Sequence, residues 1–220
     1  IEGISVRGLS WSDLFTYMSL HFPPTGKFVV NTSLGSSDGV LSPKEKFRLA
    51  LDAMDWRIKS APAADRFLHA TSAGNEGVFP GDGGEARYGS PFNAARYFSD
   101  LRTIVDLDSL SSADSLAVEE TWANLIALHP EAAVASYNTI VVGSSDNLGG
   151  ESAFSSRNSD VRMPGQEILA PCNQQDPGYP AIATLCNGNT AQYSGTSMAT
   201  PLVAGLAAYL WSIEPSATLD

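Results

Sequence analysis

At 220 residues, with 43% hydrophobic and 17% charged residues, the chain has the make-up of one globular domain and not of a disordered segment. Twenty-four acidic against 13 basic residues give a net charge of −11, which excludes the basic footprint that nucleic-acid binding needs. The acidity says little about a substrate, because an acidic surface is also simply a soluble one.

Helix-like and strand-like segments alternate along the chain, the order expected of an α/β fold with a mainly parallel sheet. Ser10 is placed to cap a helix through Trp11, Leu14, Phe15 and Met18 that stops at Pro23-Pro24. Lys27 to Leu34 reads as a strand, closed by Gly35 and the polar turn at 36–39. Ser42 followed by Pro43 is a strong helix start. Phe47, Ala50, Leu51, Met54 and Ile58 then recur at helical spacing and predict its buried face. Phe67 to Ala73 is the next strand. From Val78 to Tyr137 the pattern is less regular, with an acidic turn near Asp82 to Glu85 and a helix expected from about Ala113 to Leu128. Strands resume at Thr139 to Ser144 and at Ile168 to Ala170. No internal repeat or linker divides the chain, so a single domain is expected over 1–220.

The apolar run from Met198 to Ile213 contains Pro201 and falls short of a comfortable membrane span; a central helix buried on all sides is expected. The chain opens on Ile1-Glu2-Gly3, without the basic and apolar segments of a signal peptide. Cys172 and Cys186, 14 positions apart, belong to no metal-type C-x-x-C pattern. A disulfide and two free thiols are both open, and secretion would favour the disulfide, worth roughly 3 kcal/mol in the chain-entropy picture.

Three segments carry chemistry. Tyr193-Ser194-Gly195-Thr196-Ser197-Met198-Ala199-Thr200-Pro201 delivers Ser197 to the start of a helix, where free N–H groups and the positive end of the dipole favour developing negative charge. Gly195 is expected to let another backbone come close, and Ala199, Ala204, Gly205, Ala207 and Ala208 to let the helix sit tightly. In Thr71-Ser72-Ala73-Gly74-Asn75-Glu76-Gly77 the amide of Asn75 is placed to donate into a cleft, with Gly74 and Gly77 removing steric cover. Val30-Asn31-Thr32-Ser33-Leu34-Gly35 offers a strand edge to an extended peptide.

Together these segments resemble the subtilisin-like serine proteases. The nonapeptide around Ser197 matches that family's nucleophile motif residue for residue, and Ala73-Gly74-Asn75 matches its oxyanion segment. Ile140-Val141-Val142-Gly143, Ala153-Phe154-Ser155-Ser156 and Ile168-Leu169-Ala170-Pro171 extend the likeness, which runs from about Gly8 to Pro215. The stretch 78–137 stands out as an insertion or an unusually long connection. The resemblance implies a three-layer α/β/α fold, incomplete at both ends, and a secreted endopeptidase acting on polypeptide. Ser197 would be the nucleophile and Asn75 the oxyanion donor. Ser33, Leu34 and Gly35 would line the substrate cleft opposite Ser72, Ala73 and Gly74. Calcium is common in the family, but its usual site-forming loop belongs to a region absent here; the acidic turn at Asp82 to Glu85 reads as a solvated loop.

The family triad also needs an aspartate and a histidine, in Asp-x-Gly and His-Gly-Thr type motifs, and neither motif is present. Of the three histidines, His21 and His129 read as helix-end residues and His69 as a packed strand residue. The expectation is therefore the C-terminal two-thirds of such a domain, with Asp and His supplied by sequence outside this chain, on a separate N-terminal fragment among other sources. The alternatives are a non-catalytic fragment that binds peptide, and an esterase. The G-x-S-x-G pattern of α/β-hydrolases is absent.

Overall fold

A computed structural model describes residues 9–35, 41–78, 84–97, 101–133, 138–172 and 190–218. The turn at 36–39, Asp82 of the acidic turn and Cys186 lie outside the described residues. Four strands, β1 (Phe28–Thr32), β2 (Phe67–Ser72), β3 (Thr139–Ser145) and β4 (Val161–Pro164), form a parallel sheet in the order β1-β2-β3-β4. A separate antiparallel pair joins β5 (Ile168–Pro171) to β6 (Thr190–Tyr193). The short β4 carries no strong β signal in sequence and exists because β3 offers it a partner.

The helices are α1 (Trp11–Leu20), α2 (Pro43–Ser60), α3 (Pro91–Arg96), α4 (Ser112–Leu128), α5 (Pro130–Ala133) and α6 (Thr196–Ile213). Both α1 and α2 open with reciprocal caps. Asp13 N–H donates to Ser10 Oγ, and Ser42 N–H donates to Glu45 Oε2 at 2.7 Å. The Ser10 and Ser42 hydroxyls, and then their N–H groups, donate to the Asp13 and Glu45 carboxylates and hold them below the usual range. The predicted face of α2 coincides only in part with the buried one. Ala50 and Met54 are buried and Phe47 and Ile58 pack half-buried against the core, but Leu51 does not join it, and Leu49, Ala53 and Trp56 fill the centre. Trp56 sets the phase of the buried face, since its ring packs edge-on against Phe67 and Phe92 beneath the sheet.

The sheet lies between two layers. On one face, α1, α2 and α3 build an aromatic core around Phe15, Trp56, Phe67 and Phe92. The region 84–133 shares this core through Ile104, Val105, Leu107 and Ala132, so it is packed as part of the domain. On the other face, α6 lays Ala199, Val203 and Ala204 against Ala70 of β2 and Val142 of β3. This is the three-layer arrangement expected. The α6 helix is not buried on all sides, however: Leu202, Leu206, Tyr209, Leu210 and Ile213 are exposed, as are Gly205 and Ala208. By length and composition alone α6 could cross a membrane. One face of it, with Ala199, Val203 and Ala204, rests on the sheet.

Candidate active site

Ser197 stands in the first turn of α6, half-buried, on the helix cap Gly195. Gly195 donates its N–H to the Gly165 carbonyl at 2.8 Å. Another backbone does come close at Gly195, but it is Gly165 that makes the room: a Cβ on Gly165 would lie 2.7 Å from the Gly195 carbonyl oxygen, whereas the atoms nearest the absent side chain of Gly195 belong to Asn75 and Met198, at ordinary contact distance. Pro201, four residues after Ser197, has no N–H to give the Ser197 carbonyl. The Ser33 hydroxyl donates to that carbonyl instead, at 3.1 Å. The break in the helix ladder thus ties the end of β1 to the helix that carries the serine.

Asn75 follows β2 at a turn and is exposed. Its Oδ1 accepts from the Thr196 N–H at 2.9 Å and from the Thr196 hydroxyl at 3.1 Å, while that hydroxyl accepts from the Gly74 N–H at 3.3 Å. Two donors converging on one atom require it to be the amide oxygen, so the orientation of the Asn75 amide follows from chemistry. Its Nδ2 is left with no hydrogen bond among the described residues, beside the start of α6. Thr196 was read from sequence only as part of a motif; the structure makes it the residue that orients Asn75.

The other predicted residues converge on the same region. Ser33 and Leu34 are half-buried and Gly35 is exposed. Ser72 and Ala73 are buried behind them, with the Ser72 hydroxyl donating to the Leu34 carbonyl at 3.5 Å. Gly74 and Gly77 do not open a cleft. The space beside Gly74 holds the Glu76 carboxylate and Ser156 hydroxyl, and Gly77 lies directly on the Ser155 carbonyl. Two bonds seat the 75–77 turn on the Phe-Ser-Ser turn: Gly77 N–H to Phe154 O at 3.0 Å and Ser156 N–H to Gly74 O at 3.0 Å. A side chain at Gly77 would overlap that backbone. Gly77→Ala is expected to cost about 3 kcal/mol and lower the unfolding midpoint by roughly 5–10 °C. Gly205→Ala, at an exposed helical site with open space beside it, is expected to be neutral or stabilising by up to about 1 kcal/mol. Thermal unfolding of the two variants checks both.

None of the three histidines reaches Ser197 by a hydrogen bond. His69 lies fully buried on the α2–α3 face of the sheet, opposite α6, with Nε2 2.8 Å from Thr32 Oγ1 and its ring edge-on to Trp56 and Phe92. Desolvation lowers its pKa to about 3. His21 caps α1 and sits 2.7 Å from the Tyr17 carbonyl, and His129 caps α4 beside Glu131. The described residues contain no cluster of three metal-ligating side chains. Glu85, from the acidic turn, accepts from Asn158 and pairs with Arg87 and Arg157. Cys172 is disulfide-bonded at the end of β5. The chain's other cysteine, Cys186, lies outside the described residues.

Known proteins share this sequence in part. Matching segments occur in Proteinase R of Parengyodontium album (42% identity over 74 residues, 33% of this chain and 16% of that protein). Others occur in Subtilisin of Bacillus pumilus (37% over 81 residues, 37% and 26%). The Extracellular protease of Xanthomonas campestris pv. campestris is 34% identical over 82 residues, 36% of this chain and 13% of that protein. A crystal structure of a cold adapted subtilisin-like serine proteinase superposes over 98% of this chain and 54% of its own, at 19% identity and a TM-score of 0.49. These segments thus span between 13% and 26% of the curated relatives' lengths. The sequence profile described as Subtilase family matches residues 5–220. This chain therefore belongs to the subtilase family of serine proteases.

Proposed function

We propose that this chain is the nucleophile-bearing part of a secreted serine endopeptidase. Ser197 Oγ attacks the scissile carbonyl, and Asn75 Nδ2 with the Ser197 N–H receives the charge that forms on its oxygen. The observation that carries the reading is the clamped Asn75 amide, whose oxygen is occupied by Thr196 and whose donor end, without a hydrogen bond among the described residues, lies beside Gly195 at the start of α6. The partial positive charge of the α6 N-terminus acts on the same oxygen. Ser33, Leu34 and Gly35 align an extended polypeptide as an added strand, against Ser72, Ala73 and Gly74. The relative named Extracellular protease supports secretion, and a disulfide at Cys172 accords with an oxidising compartment.

The base that takes the serine proton, and the acid that orients it, come from outside this chain. Two surfaces support that division: β1 has no partner on its outer edge among the described residues, and the apolar stripe of α6 is exposed. A base-bearing segment would pack on both to reach Ser197. Alone, the chain would keep only the residual catalysis of the oxyanion site and substrate binding.

Fluorophosphonate labelling of the full-length protein tests this reading. The expected result is one labelled site, lost in Ser197→Ala. Peptide binding without any Ser197-dependent label would instead identify a non-catalytic, peptide-binding member of the family. That outcome has an observation in its favour, since the three histidines of this chain are all engaged elsewhere.

A further inference from the structure

We propose that Asn93, on the short helix α3, is the positioning residue that holds the oxyanion turn in place; this rests on the reading of Ser197 and Asn75 above. Asn93 is fully buried, and every hydrogen-bonding capacity of its amide is used. Its Nδ2 has two hydrogens and reaches three carbonyls, Ala86 at 2.8 Å and, sharing a hydrogen, Ser72 at 3.0 Å and Ala73 at 3.4 Å. Its Oδ1 accepts from the hydroxyls of Thr71 at 3.0 Å and Ser90 at 2.8 Å. Ser90 also caps α3 by accepting the Asn93 N–H at 3.2 Å, so the backbone of Asn93 is held as firmly as its amide.

Two of the carbonyls it holds, those of Ser72 and Ala73, are the last two before Gly74 and Asn75. At Ser72 the chain leaves β2, and its polar groups need partners other than a strand. From one side, β3 and α6 supply them: Ala73 N–H donates to the Val142 carbonyl at 2.9 Å, and Gly74 N–H donates to Thr196. From the other side, Asn93 supplies them. The 72–75 turn is therefore gripped between the serine helix and α3, with Asn75 at its exposed tip. The approach is close because Gly89 lacks a side chain; a Cβ there would lie 2.5 Å from the Ala73 carbonyl and 2.9 Å from Asn93 Nδ2. An apolar residue would fill the same space without fixing those peptide planes. A buried amide is tolerated only when all its partners are in place, so it admits one geometry of the turn.

The test is the rate at which a fluorophosphonate labels Ser197 in the full-length protein, since the phosphonyl oxygen occupies the position of the oxyanion. Asn93→Leu keeps the approximate shape of the side chain and removes all the hydrogen bonds of its amide; Thr71→Val removes one hydroxyl donor. Asn93→Leu is expected to slow labelling about 10- to 100-fold, and Thr71→Val about 3-fold. In an Asn75→Ala background each is expected to change the rate less than about 2-fold, because a residue acting through Asn75 has nothing left to position. Rates equal to wild type, or the same slowing with and without Asn75, overturn the proposal and leave the protease reading standing. A wild type that takes no label at Ser197 overturns both. If Asn93→Leu does not fold, Thr71→Val carries the comparison, and a merely structural role would lower its unfolding midpoint without changing the labelling rate.

Discussion

Asn75→Asp is expected to lower turnover of the full-length protein by about 10²–10³ or more, with KM changed less than about 2-fold. That range is the one established on subtilisin itself for loss of a donor of this kind. The aspartate keeps the oxygen that accepts from the Thr196 N–H and hydroxyl, so the turn holds its place. It removes the donor and sets a carboxylate where negative charge must develop. Stability is expected to move the other way, unchanged or raised, because a carboxylate at a helix N-terminus meets the dipole favourably. Asn75→Ala loses the donor and the acceptor together. It is expected to show a similar fall in turnover and also about 1–2 kcal/mol lower stability, from an unpaired Thr196 N–H at the helix start. Steady-state kinetics on a fluorogenic peptide, with thermal unfolding of both variants, checks this. Equal turnover in Asn75→Asp and wild type would remove Asn75 from the mechanism.

Acid is expected to destabilise the fold well before most carboxylates titrate. Burial depresses the pKa of His69 from its ordinary 6.5 to about 3, and no charge of opposite sign accompanies it. A group whose folded pKa lies below its unfolded value binds fewer protons when folded. Its neutral burial is therefore not opposed by protonation above pH 6.5, and stability falls as pH drops from 6.5 towards 3. The loss approaches about 1.4 kcal/mol per pH unit and reaches roughly 3 kcal/mol near pH 4.5. Nε2 is engaged by Thr32, whereas Nδ1 is buried with no hydrogen-bond partner among the described residues, so the imidazolium would carry an unsolvated N–H there. The carboxyls of Asp13, Glu45, Glu131 and Glu214, held low by hydrogen bonds, act in a lower window, as pH falls through 4. Urea unfolding between pH 7 and 4.5 measures the effect. His69→Leu should flatten the dependence above pH 5, and an unchanged slope in that variant would assign the loss to other groups.

Most of the local structure was legible because it rests on short-range signals. Ser10 and Ser42 announce helices through caps that satisfy N–H groups three residues away, and the structure retains both. The run from Phe67 to Ala73 reads as a strand, and the structure buries both of its faces over Phe67–Ser72. Where long-range packing decides, the same kind of reading slipped. The phase of α2 follows Trp56, whose ring needs the aromatic pocket formed by Phe67 and Phe92, not the nearest apolar spacing. The exposure of one side of α6 could not be read from its composition, because a uniformly apolar helix carries no record of which face meets the sheet.

The candidate site divides along the same line. By itself the sequence determined the family, the identity of Ser197 and Asn75 as chemically apt residues, and the lack of the base motifs, since each is a matter of which residues stand in a short row. Only the tertiary structure decided how they meet. Thr196 turns the amide of Asn75, Ser33 answers the carbonyl that Pro201 leaves open, and Asn93 closes the turn from the opposite side. These partners lie from about 20 to 164 positions apart, and a hydrogen bond is set by distance and direction in space, not by order along the chain.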